Sequence, residues 1–173
     1  MIDQLKQMLS ESVTLTGVCA DLARHEPELS ADEAGRLAAI VVAFVQGISD
    51  GVAYAIGLSK DPRCGRAVAH GTGSVLFYLL DDEDLLPEST FGALGLIDDA
   101  FLVHAFLAQV RETFPYVPEP QTYRPPRSED VDTIAALLPS GVAMALTRTC
   151  RSMVSVAAAL FAAPGLVEPD TTI

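Results

Sequence analysis

The chain has 173 residues, enough for one domain with a real core, and half of them are hydrophobic. Only 6% are aromatic and Trp is absent, a mix rich in Ala, Leu and Val that favours helix–helix packing over sheets. A formal net charge of −12 argues against binding to phosphate backbones or anionic lipid, and suits a basic protein partner or metal cations better.

The opening Met1-Ile2-Asp3-Gln4-Leu5-Lys6 has neither the basic start nor the apolar run of a signal peptide, so a cytoplasmic location is expected. Asp3 to about His25 predicts a first helix, with Leu5, Met8/Leu9, Ser12, Leu15, Cys19 and Leu22 along one stripe, ended by Pro27. Ser30-Ala31-Asp32-Glu33 reads as a capping box opening a long second helix to about Ser59. Leu37, Val41, Phe44, Ile48, Val52 and Ala55 form its core face. The far side (Ala39, Val42, Ala43, Ala53) is scarcely more polar, which implies a central helix or an oligomer interface.

Within this helix, Gly47-Ile48-Ser49-Asp50-Gly51 fits the G-x-S-x-G pattern of a hydrolase elbow. That motif needs a strand before it, and none is signalled. Two glycines four apart instead let another helix approach closely. Asp50 in that setting wants a cation, with Arg148 and Arg151 as candidates for a buried ion pair; the two arginines otherwise reach the Asp98-Asp99 turn or snorkel to the rim.

Lys60-Asp61-Pro62 predicts a break and a new start, Asp61 capping and Pro62 in the first turn of a third helix to about Leu80. Its Gly71-Thr72-Gly73-Ser74 lacks the Lys-Ser/Thr ending of a phosphate loop. An irregular acidic segment, Asp81 to Thr90, leads to a fourth helix from about Leu96 to Phe114. Residues 115–127, rich in Pro, are expected to form an extended strap. A fifth helix starts at Ser128 and splits near Leu138 at Pro139. Its second part, to about Ala162, shows Val142, Ala145, Thr149, Met153, Val156 and Leu160 on one face.

Leu37–Leu58 and Gly141–Ala163 approach the hydropathy of membrane spans, but Gln46 and Asp50 interrupt one and Arg148 and Arg151 the other. Core helices are the better reading, with peripheral membrane contact not favoured. Cys19, Cys64 and Cys150 are widely spaced, form no CxxC pair and read as small hydrophobes in a reducing compartment. The expected fold is all-α: a single domain (1–173) built as a five- or six-helix bundle with an acidic helix-turn-helix corner.

That corner has a characteristic spacing: Lys60-Asp61-Pro62-Arg63, Tyr78-Leu79-Leu80, Asp84-Leu85-Leu86-Pro87, then Gly95-Leu96-Ile97-Asp98-Asp99. On these residues, segment 58–110 resembles the YkvA-like domain-of-unknown-function family of small bacterial helical proteins. It differs in having Asp82 where the family usually has Pro, Glu88 where it has Asp, and Phe91 where a second Pro is common. The resemblance implies two helices joined by a tight acidic hairpin and brings no activity with it.

Each corner residue has a structural use. Tyr78 can pack on the turn and send its hydroxyl to a carboxylate. Asp84 and Pro87 suit the turn, Gly95 suits a left-handed or closely approached backbone, and Asp98 and Asp99 sit at the positive end of a helix dipole. The sharper alternative is a divalent-metal site, with Asp84, Asp98, Asp99 and Glu88 converging on Mg, Ca or Mn through oxygen ligands alone. His70 and His104 flank the turn without metal-ligand spacing, and core or boundary roles, hydrogen-bonded to a neighbour, are expected for them. No catalytic set emerges. The leading expectation is a helical interaction or scaffold domain that self-associates or binds a protein partner through its second and last helices. The alternative is the metal-binding domain.

Overall fold

The computed structural model of the chain describes residues 2–62, 64–80 and 85–162, apart from the side chains of Glu88 and of residues 160–162. Among them the protein is all-helical: α1 (Ile2–Ser12), α2 (Leu15–His25), α3 (Ala31–Leu58), α4 (Gly65–Tyr78), the single turn α5 (Glu88–Phe91), a 3-10 segment (Gly92–Leu96), α6 (Ile97–Thr113), α7 (Ser128–Leu137) and α8 (Val142–Ala162).

The expected first helix is two. At Thr14 the backbone is extended, and its hydroxyl accepts the Gly17 N–H at 3.1 Å, capping α2 where α1 has ended. This break resets the helical phase. Leu9, Val13, Val18 and Leu22 turn inward, while Met8 and Leu15, on the expected stripe, are exposed. Both short helices lie against α3.

The capping box of α3 is present as read. Glu33 N–H donates to the Ser30 hydroxyl at 3.3 Å, and Ser30 N–H donates back to the Glu33 carboxylate at 3.0 Å. Those bonds from Ser30 hold the Glu33 carboxyl below its ordinary range. Val41, Phe44, Ile48, Val52 and Ala55 are buried as expected. With α1, α2, α4, α6 and α7 around it, α3 is a central helix.

Its partner at the centre is α6, whose buried residues run through every face: Ile97, Ala100, Phe101, Leu102, Val103, Phe106, Leu107 and Val110. A helix buried over most of its circumference shows little amphipathic period, so the sequence flagged α6 only by its ends. The glycine pair in α3 explains how the two meet. A Cβ on Gly47 would stand 2.9 Å from the His104 ring and one on Gly51 2.8 Å from Val103, so α6 rests on bare α3 backbone. Gly71 of α4 faces the Phe106 ring in the same way.

Two expected starts and faces need correction. Asp61 and Pro62 form a turn, with the Asp61 carbonyl accepting from Cys64 and Gly65, and α4 begins only at Gly65. In α8 the inward stripe is Leu146, Cys150, Val154 and Ala157, one residue on from the expected face; Ala145, Thr149 and Val156 are exposed. The helix is Ala- and Val-rich on several sides, so hydropathy alone does not fix its rotation. Burial against α4 and α6 pushes the Cys150 thiol up to about 12.

Two segments are long and apolar enough to cross a membrane by length and composition, Ala31–Leu58 and Ser89–Thr113. In the folded chain they form α3 and the stretch from α5 to α6, the middle of the bundle.

Candidate functional site

The acidic corner begins where α4 ends. Tyr78 donates its hydroxyl to Oδ2 of Asp98 at 2.9 Å, the contact its position suggested. Asp98 is fully buried and Asp99 nearly so, both in the first turn of α6, where helix N–H groups favour negative charge. The Pro87 carbonyl accepts from Thr90 and Phe91, so Pro87 opens the turn α5. Gly95 is buried, but the left-handed residue is Gly92 (φ +61°). The reason lies in α2. Asp21 accepts the Ala93 N–H at 2.9 Å and Arg24 at 3.1 Å, and its carboxylate occupies the space a Cβ on Gly92 would need. Asp21 is thus a locking residue that sequence reasoning missed. Its signal was an acid set directly beside the apolar stripe of α2.

Of the four carboxylates considered for a metal, Asp84 and the Glu88 side chain lie outside the described residues, and Asp98 and Asp99 are held together at the helix start. Among the described residues no group of three or more His, Cys, Asp or Glu could hold an ion.

The expected ion pair of Asp50 is also different. Asp50 meets Lys6 of α1 at 2.7 Å, because α1 packs on α3 while α8 lies against α4 and α6. Arg148 and Arg151 are exposed on α8, and Arg151 donates to the Gln109 side-chain oxygen at 3.4 Å. Ser49 of the G-x-S-x-G run is buried in mid-helix, its hydroxyl directed to the Gln46 carbonyl at 3.4 Å.

The two histidines part company. His70 is exposed on α4. His104 is buried, with Nε2 2.9 Å from the Phe44 carbonyl and Nδ1 2.8 Å from the Tyr123 hydroxyl. A carbonyl only accepts, so Nε2–H is the donor, and Tyr123 donates its O–H to Nδ1. Burial drives the imidazole down to about 4 despite the Phe44 bond, so the ring is neutral at pH 7. Burial likewise raises the Tyr123 phenol.

Tyr123 is the pin of the strap. It stacks on His104 and Tyr54 with centroids 5.7 and 5.8 Å away, the Tyr54 hydroxyl donates to the Pro118 carbonyl at 2.5 Å, and Arg111 grips both Glu119 oxygens at 2.7 and 2.8 Å. An aromatic buried within a Pro-rich run was the available sign. Clefts open on both sides of this pin. One, of about 650 Å³, has a floor of α3 (Ala39, Ala43, Gly47) and a rim of Asp50, Arg124 and Asp130. The other, of about 640 Å³, lies between α6, α8 and the strap.

The remaining feature is the outer face of α4. Arg66, Ala69, His70, Gly73 and Phe77 follow one another at three- and four-residue steps, all exposed, with Leu80 continuing the row past the helix end. Phe77 is 74% exposed and Leu80 82%, and a Cβ on Gly73 would meet open space. Large apolar side chains spend such exposure only where no described neighbour covers them. No family model, no curated protein and no solved structure matches the chain.

Proposed function

We propose that the chain is a helical scaffold that pairs with a second copy through the outer face of α4. The observation that carries this is the exposed row ending in Phe77 and Leu80. Its order is self-complementary. Counting from Gly73, Ala69 and Phe77 lie equally far on either side, as do Arg66 and Leu80. In an antiparallel pair with its two-fold axis at Gly73, each Phe77 ring lies over the other copy's Ala69, and the bare glycines allow the helices to approach. Each Leu80 then meets the aliphatic stem of an Arg66.

This moves the interface from the helices first expected to carry it. The second predicted helix is α3, surrounded by neighbours, and α8 spends its apolar stripe on α4 and α6. The YkvA-like resemblance remains part of this proposal and adds no activity. We place the chain in the cytoplasm, which the free thiols Cys19, Cys64 and Cys150 support. Sedimentation velocity across micromolar concentrations tests the reading. The wild-type chain is expected to sediment as a dimer and Phe77→Asp as a monomer of unchanged helicity. A wild-type monomer at every concentration would sink it.

A further inference from the structure

The cleft between α6, α8 and the strap has the build of a ligand pocket. Its volume, about 640 Å³, is in the range of small-molecule sites, and its walls are mainly apolar, with Phe101, Ala105, Ala108, Val117 and Val131 among them. The floor is the His104–Tyr123 pin, whose imidazole nitrogens are both engaged, so it offers a ligand shape without a nucleophile or base.

Charge at the rim decides what kind of ligand fits. Arg111 donates from Nη2 to both oxygens of Glu119, which pairs the two charges. Glu112 also lines the pocket and, like Arg151, is exposed. What sets Arg151 apart is its unused hydrogen-bonding capacity. This residue stands on α8, a helix with no acidic residue, and among the described residues its guanidinium makes only the 3.4 Å bond to Gln109. A guanidinium offers five donors in a planar fork, and a single long bond leaves most of them facing solvent. An apolar pocket with an under-used guanidinium on its α8 wall matches an amphiphile with a hydrocarbon body and a carboxylate head.

We infer that this pocket binds a medium-chain fatty carboxylate, its chain lying against Ala105, Ala108 and Val131 and its head group held by Arg151. The inference is independent of α4 pairing, since no residue of α4 lines the pocket among those described.

Isothermal titration of the full chain with dodecanoate, and with dodecanol as the uncharged control, tests it. Saturable binding of one dodecanoate per chain is expected. Arg151→Gln, at an exposed position, should weaken dodecanoate roughly tenfold, as loss of one charge-assisted contact does, and leave dodecanol unchanged. Ala108→Trp, which fills the pocket from an exposed position, should abolish binding of both. Circular dichroism shows whether each variant is folded. Absence of saturable dodecanoate binding to the folded wild-type chain would overturn the inference. So would undiminished dodecanoate affinity in either folded variant.

Discussion

A histidine buried beside a backbone carbonyl and a tyrosine hydroxyl is fixed in one tautomer, and this makes His104 the residue on which acid sensitivity should turn. Its folded pKa of about 4 lies below the ordinary 6.5 because the charged ring would lose its water. Between those values the unfolded chain binds a proton that the folded chain refuses. The contribution is therefore intact above about pH 6.5 and is lost as pH falls toward 4. At pH 5 the loss should be about 2 kcal/mol relative to pH 7.5. Urea unfolding at the two pH values should show this drop in the wild-type chain, beyond the drop in His104→Gln, which keeps the other titrating groups. Equal drops in both proteins would show that the ring is not held neutral. That His104 lies in the core or at its boundary was legible from its apolar neighbours; its partner Tyr123, nineteen residues on, could not be read from local spacing.

Some helix ends marked by side-chain chemistry were legible, the starts of α2 and α4 were not, and neither were helix rotations fixed only by neighbours. The capping box of Ser30 and Glu33 placed the start of α3, and Pro139 placed the split between α7 and α8. The break at Val13–Thr14 was hidden because Thr14 caps α2 within a run whose apolar residues continue across it. The face of α8 came out one residue off because several of its sides are equally apolar. At the corner, Tyr78, Asp98 and Asp99 could be placed, whereas Asp21 reaches it from a helix some seventy residues earlier.

The glycines of α3 put element packing to a quantitative test. Gly51→Ala drives a methyl group to 2.8 Å from Val103 and 3.1 Å from Leu107, both buried on α6, and should cost roughly 1–3 kcal/mol. Gly35→Ala in the same helix meets nothing within 4 Å and should gain about 0.5–1 kcal/mol from the stiffer unfolded chain. Thermal melts should move in opposite directions. A stable Gly51→Ala protein would mean that α3 and α6 do not touch as described.

At the scale of the molecule, the described helices pack on one another inside and leave the outer row of α4, ending in Phe77 and Leu80, exposed. Gly71 and Gly73, two residues apart in α4, show the division: one faces the Phe106 ring in the core and the other faces open space. Composition and periodicity were enough for the all-helical class. They did not show which helix keeps a bare apolar face, because that depends on which faces the other helices cover. The acid-rich surface fits a protein kept soluble and steered toward defined contacts rather than general stickiness. Pairing about Gly73 places the two copies of that residue against each other, within reach of a disulfide. Oxidative cross-linking of Gly73→Cys, with Gly35→Cys as control, is the most direct measurement. A covalent dimer on a non-reducing gel is expected from Gly73→Cys alone; a Gly73→Cys protein that stays monomeric, or cross-links no faster than Gly35→Cys, would contradict pairing through α4.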